Sequence, residues 1–335
     1  MNWISVLTQT LEQALGPSAV IYCLAAIGLN VHFGYTGLLN FGQAAFMMVA
    51  AYSLGSLVSK AGWNFWLTIL VGLAAAVVLA LLLGVPTLRL RADYLAIVTI
   101  AAAEAVRLVL GSVTLKKYFN GQDGVFGFTD SFAALNPFNS SMGFSFGDNT
   151  VSWRPYQFFV IVTGWTVVAI CCLIVFLLMR SPWGRVLKGI REDEDAVRSL
   201  GKNVYSYKMQ SLVIGGLFGA LAGFYSGLAY SNASPSDFVA ETTFYAYTIL
   251  LLGGAARVLG PVVGAIIFWG FLSGLDLVFD KLTGGGDPIL PAWIMTSSQA
   301  SLMRLIALGL VLMLLMIYRP QGIFGNRREL ALDAR

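Results

Sequence analysis

Between Trp66 and Pro86 the chain runs for 21 residues without a charged side chain, most of them alanine, valine or leucine. A helix needs roughly 20 apolar residues to cross a bilayer, and a run that is apolar all round leaves no face for water. Further strong runs lie near 94–112, 155–179, 209–230 and 302–318. Shorter or glycine-interrupted ones lie near 19–33, 42–58, 244–255 and 259–279. In lipid each segment must satisfy its own backbone groups, which selects helices. The expectation is an all-α polytopic membrane bundle, one domain over 1–335, with about 8–10 segments, some broken or half-length.

Composition agrees. Hydrophobic residues make up 57% of the chain and charged ones 11%, where a soluble domain has about 25% charged. Soluble enzymes, nucleic-acid binders and disordered regulators are excluded on that ground. A single histidine, His32, leaves no His-rich metal site or His–His pair. Cys23, Cys171 and Cys172 all lie in apolar runs and read as small core side chains. The first residues lack the basic start and cleavage site of a removable signal peptide.

Lys and Arg set the orientation. Residues 180–208 hold Arg180, Arg185, Lys188, Arg191, Arg198, Lys202 and Lys208. Placing them in the cytoplasm brings in Arg89, Arg91, Arg257, Arg319, Arg327, Arg328 and Arg335, which makes 14 of the 21 basic residues. The C-terminus is then cytoplasmic. The interrupted run 19–58 leaves the side of the N-terminus open. An external loop over about 113–154, rich in Gly, Asn, Ser and Phe, suits a capping segment with short strands. The basic segment also carries Glu192, Asp193, Glu194 and Asp195, a mixture expected of one or two short surface helices.

Gly215, Gly219, Gly223 and Gly227 recur every fourth residue on one helix face, spacing that lets membrane helices approach backbone to backbone. Two breaks are more telling. Gly34 to Gln43, with Asn40 and Gly42, interrupts the first apolar stretch; Gly253-Gly254 to Gly260-Pro261 interrupts a later one. Transporters place substrate where discontinuous helices expose backbone polar groups. Asn40 and Gln43 fit either pathway lining or hydrogen bonds between helices. Glu104 and Arg107, three residues apart inside a span, can form a structural ion pair or face a zwitterionic solute. His32 fits a hydrogen-bonded structural role better than proton carriage.

No phosphate-cradling GxxxxGK[ST] loop is present. At Gly201-Lys202 the first glycine is replaced by Ala196, and Asn203 follows the lysine. Any ATP hydrolysis that drives this chain belongs to another subunit.

Five motifs in order resemble one family. Gly34-Tyr-Thr-Gly-Leu-Leu-Asn-Phe-Gly-Gln43, with Phe46 and Ala51-Tyr52, looks like the first signature of permeases of branched-chain amino-acid ABC importers. Asp93-Tyr94-Leu-Ala-Ile-Val-Thr99, then Glu104 and Arg107, is similar to its second. Asn120-Gly121-Gln-Asp-Gly124 resembles its external turn. The run from Ser181-Pro182-Trp-Gly184-Arg185 to Ile190-Arg191-Glu192-Asp-Glu194, then Ala196, Gly201 and Lys208, resembles its cytoplasmic signature. Tyr318-Arg-Pro320-Gln-Gly322-Ile-Phe-Gly325 resembles its ending. One departure stands out: Gly253-Gly254-Ala255-Ala256-Arg257 occupies the place of the family's Gly-Gly-x-Gly-Thr.

The resemblance implies a permease subunit in the bacterial inner membrane, paired with a second homologous permease. Two ABC ATPase subunits would sit on its cytoplasmic face, and a periplasmic or lipid-anchored solute-binding protein would feed it. ATP and Mg would bind the ATPases, and this chain would bind no cofactor. Residues Glu192 to Gly201 would form the coupling helix, with Gly184, Arg185, Ile190, Arg191, Glu192, Glu194, Ala196 and Gly201 as the ATPase-coupling set. Ile190, Val197 and Leu200 would supply apolar contacts. Branched-chain amino acids are the implied substrates, with urea, short amides or other amino acids as alternatives. A self-sufficient channel or secondary transporter is the rival class, and an intramembrane enzyme the remotest.

Overall fold

The structure, a computed structural model, describes residues 3–90, 92–146, 149–283, 296–319 and 321–325. It is an all-α bundle. Arg91, Pro320, Arg327, Arg328 and Arg335 lie outside the described residues.

The chain opens with α1 (Trp3–Ala14) and α2 (Pro17–Leu29), the latter passing into a π-helical turn, Asn30–Tyr35. Then come α3 (Gln43–Ser59), α4 (Phe65–Thr87) and α5 (Ala92–Leu110). Residues 111–154 hold two four-residue helices, α6 (Lys116–Phe119) and α7 (Asp130–Ala133). They also hold strands β1 (Val125–Phe126), β2 (Met142–Phe146) and β3 (Asn149–Trp153). After these follow α8 (Pro155–Arg180), the short α9 (Pro182–Glu192) and α10 (Glu194–Ser199), and α11 (Val204–Tyr230). Strand β4 (Asn232–Ala233), α12 (Ala240–Gly253), α13 (Gly260–Thr283) and α14 (Ser297–Tyr318) complete it.

Among the described residues the chain passes nine times between two ends: α1–α2 together, then α3, α4, α5, α8, α11, α12, α13 and α14. One end carries residues 111–154 and is called the loop end. The other carries α9 and α10 and is called the basic end. Antiparallel pairs β2–β3 and β1–β4 give the loop end its strands. Because α1 packs on β3, the chain starts at the loop end, while α14 returns it to the basic end. Among the described residues five runs are long and apolar enough to cross a membrane: Ser5–Tyr35, Phe65–Thr87, Pro155–Arg180, Val204–Tyr230 and Gly260–Thr283. The expected 19–33 segment is thus the inner part of a 31-residue run, and 259–279 belongs to an unbroken helix.

The basic end is built by capping. Ser181, Asp193 and Asn203 each accept a backbone N–H of the helix that follows, as short polar side chains do at helix starts. Helix α11 is the hub, packed on α2, α3 and α4. Lipid-facing sides belong to outer helices, where Leu70, Leu82, Leu173 and Leu177 stand exposed. All three cysteines are buried and unpaired.

Candidate functional site at two helix breaks

The first break is a π-helical turn followed, after Thr36, by non-helical residues 37–42. A helix end leaves carbonyls without intrahelical donors, and in lipid such groups must be paired within the protein. Four of these carbonyls, of residues 31–34, have donors here. Val31 O accepts Thr36 Oγ1 at 2.9 Å and Ser211 Oγ at 3.2 Å. His32 O accepts the Leu38 N–H at 2.9 Å, and Phe33 O the Gly37 N–H at 3.1 Å. Gly34 O accepts Arg191 Nη1 at 2.6 Å.

Buried side chains complete the turn. His32 Nε2 lies 3.1 Å from the carbonyl of Leu212, which can only accept, so Nε2 carries the proton. Nδ1 is then the acceptor for Asn40 Nδ2 at 3.1 Å, while Asn40 Oδ1 accepts the Gly42 N–H at 2.9 Å. Gln43 Nε2 bonds to Ala25 O and Gly215 O, joining α2, α3 and α11. From outside the break, Thr99 takes the Phe41 N–H, Thr243 takes the Ala44 N–H, and Tyr247 donates to Asn40 O, each at 3.0 Å. Asn40 and Gln43 are both 0% exposed. Through these bonds both side chains hold the break to its neighbouring helices.

The second break meets the first. Asn30 donates to Arg257 O and accepts the Ala256 N–H, both at 2.8 Å. Gly253 closes α12 against the start of α13, where an added Cβ would fall 1.8 Å from Gly260 O. Gly254 turns at φ 108 and Ala256 at φ 58. The tail then caps α12: the Ile323 and Phe324 N–H groups donate to Leu252 O and Gly253 O at 3.0 and 3.1 Å.

At the basic end, Arg191 at the close of α9 joins this site through Gly34. Helix α10 is tied to α11 by the Glu194–Lys208 ion pair, and Arg198 pairs with Glu194 and Asp195 at 2.9 and 2.8 Å. Arg185, Glu192 and Ala196 are exposed, and Gly201 turns at φ 76 where an added Cβ would meet nothing within 4 Å. Gly184 is buried at the α8–α9 corner, where a Cβ would fall 2.5 Å from Met179 Cα. Ile190, expected to meet a partner, is instead 4% exposed against its own bundle, because it shares the inward face of α9 with Gly184 and Leu187. Leu200, 80% exposed, is the free apolar side chain.

A family model described as "Branched-chain amino acid transport system / permease component" matches residues 17–318. The chain belongs to this permease family. It is 28% identical over 319 residues to the high-affinity branched-chain amino acid transport system permease protein LivM of Escherichia coli K12, covering 92% of this chain and 69% of that one. A probable LivM of Methanocaldococcus jannaschii is 24% identical, covering 92% and 91%. LivH of Escherichia coli K12 is 26% identical over 265 residues, covering 73% and 79%.

The remaining candidates of this permease lie on α11 and α5. Along α11, a Cβ on Gly215 would fall 2.2 Å from His32 Nε2, on Gly219 2.6 Å from Gln43 Nε2, and on Gly223 1.9 Å from Met47 O. Gly227 faces Phe128 of the loop end at 3.1 Å. Glu104 and Arg107 form a two-bonded ion pair at 2.5 and 2.9 Å, with side chains 43% and 21% exposed on α5. Sequence inspection passed over Asn30, Thr243 and Tyr247. The signal for Asn30 was present: a lone amide in an apolar run must find partners inside the protein. Nothing local marked Thr243 and Tyr247, whose partners are distant in sequence.

Proposed function

We propose that this permease is the translocating subunit of an ATP-driven importer of branched-chain amino acids, paired with a second permease of its family. The basic end faces the cytoplasm, in keeping with the distribution of Lys and Arg. Two separate ATPase subunits, which bind the ATP and Mg, seat against α9 and α10. A binding protein delivers the amino acid at the loop end, so this chain does no catalysis of its own.

The observation that carries this reading is the Arg191–Gly34 hydrogen bond. It ties the segment exposed for docking to the one place where the first span is not helical. Movement of α9 and α10 on ATP binding reaches the π turn through that bond, and reaches α11 through Glu194–Lys208. The π turn in turn holds both breaks through Asn30, His32 and Asn40. Displacing it moves both discontinuities together, which is what opening one side and closing the other requires.

The test is reconstitution in liposomes with the second permease, the two ATPases and the binding protein. Leucine, isoleucine or valine uptake that needs ATP, the ATPases and the binding protein is expected. Uptake by this chain alone, without the ATPases, would sink the proposal in favour of a self-sufficient carrier. ATP-dependent uptake confined to urea, amides or other solutes would retain the class and replace the substrate.

A further inference from the structure

Residues 37–42 leave the basic end beside Arg191, whose Cγ lies 3.4 Å from a Cβ built on Gly37, and rise into the bundle without a helix. The Phe41 N–H meets Thr99, seven residues or about 10 Å beyond the start of α5 at 1.5 Å per residue. Gln43, which starts α3, reaches Gly215, eleven residues or about 16 Å beyond the start of α11. The segment therefore crosses part of the span as irregular backbone. Such backbone at membrane depth is tolerated only where it is buried in protein or lines a water-filled cavity.

Its two sides differ. The inner side is closed by the hydrogen bonds of His32, Asn40 and Gln43. Leu39 is only half-buried, and among the described residues neither its N–H nor its carbonyl has a hydrogen-bond partner. Helices α5 and α12 flank it, since Thr99 holds the Phe41 N–H and Tyr247 holds Asn40 O. The Phe41 ring stacks on Tyr247 and leans on Phe244 of α12, which is 46% exposed. On α5, Ile97, Ala101 and Ala105 stand exposed at every fourth residue. The Glu104–Arg107 pair borders that row, with Glu104 twelve residues from one end of the helix and six from the other.

Charged groups inside a span face the bundle interior or an aqueous cavity, and the partly exposed side chain of Glu104 is not interior. Lipid satisfies neither an orphan amide nor an ion pair; water satisfies both. This chain supplies one wall for that water, so the other wall must come from another subunit. Given the pairing with a second permease, on which this reading rests, we propose that the side formed by α5, residues 37–42 and α12 lines a water-filled cavity which that permease completes. The amino acid crosses the membrane along it. Phe244 offers an apolar surface to an aliphatic side chain. The Glu104–Arg107 pair is neutral as a unit, so a zwitterion passes it without being held, as permeation requires.

The experiment is cysteine labelling in nanodiscs of the complex of both permeases and the ATPases, with and without ATP. The probe is a charged, membrane-impermeant methanethiosulfonate. Ala101→Cys and Ala105→Cys should react at least about tenfold faster than Leu173→Cys on the lipid-facing side of α8, because only the thiolate reacts and apolar surroundings suppress it. The native cysteines are buried, and wild type gives their background. After reconstitution in liposomes with the binding protein, the labelled Ala101→Cys or Ala105→Cys complex should lose the leucine uptake of its unlabelled aliquot. A complex that assembles and takes up leucine, with both cysteines as slow as Leu173→Cys in either condition, would overturn this path and leave the importer standing. Full labelling without loss of uptake would do the same. Failure of the second permease to copurify with the chain would remove the pairing and the path together.

Discussion

Arg191 donates from Nη1 to the carbonyl of Gly34 at 2.6 Å, across 157 residues of chain. A guanidinium from the most charged segment of the molecule thereby completes the backbone of a broken membrane helix. Arg191→Ala should leave ATPase association and ATP hydrolysis in place and lower amino acid taken up per ATP by about tenfold, the scale of a charged hydrogen bond. Arg191→Lys, which keeps the charge but not the planar fork, should fall between. Paired uptake and hydrolysis assays on the reconstituted complex measure the ratio, and an unchanged ratio in Arg191→Ala would remove Arg191 from the coupling path.

Asn30 joins the two breaks through Ala256 and Arg257. Asn30→Ala leaves a buried N–H and a buried carbonyl unpaired, at about 1–3 kcal/mol each. Asn30→Asp keeps the acceptor for Ala256 and loses the donor to Arg257. The thermal midpoint of the purified protein should drop in the order wild type, a variant with one bond lost, a variant with both lost. Asn30→Ala melting with wild type would show that the breaks hold together by other contacts.

Ala256 occupies a left-handed conformation at φ 58, where the family's pattern has glycine. That conformation costs a residue with a Cβ about 1–2 kcal/mol, against about 0.5–1 kcal/mol of extra chain entropy for glycine. Ala256→Gly should therefore stabilise the fold by about 1 kcal/mol or slightly less. A lowered midpoint in the same melting assay would mean that the Ala256 methyl group contributes more packing than strain.

The four glycines of α11 look equivalent as a stripe, yet their neighbours differ. Gly223→Ala would drive a methyl group into Met47 O at 1.9 Å, and backbone cannot step aside as a side chain can. Gly227→Ala meets only the ring of Phe128 at 3.1 Å. Folded yield should collapse for Gly223→Ala and stay near wild type for Gly227→Ala. Equal yields would mean that α3 and α11 separate freely at Met47.

How much of this was legible in the sequence varies by residue. The run 66–86 announced α4 because length and apolarity together allow one outcome in lipid. Ser181, Asp193 and Asn203 lie at the starts of α9, α10 and α11 because capping is local chemistry. The positions of both breaks followed from their glycines. Ile190 was misplaced, since an apolar residue in a charged segment fits either a partner or its own bundle until the helix phase is known. The partners of Asn40 also waited on structure: beside His32 and Gly42 they include Tyr247, 207 residues away.

By itself, the sequence determined that the chain crosses a membrane many times, where its helices break, and which end gathers its charge. Those properties depend on the apolarity, spacing and sign of nearby residues. Tertiary structure alone decided that the two breaks lie against each other, that the tail caps one of them, and that Arg191 completes the other. Each is a hydrogen bond between groups far apart in sequence, made obligatory because in lipid an interrupted helix must find its missing partners in other parts of the chain.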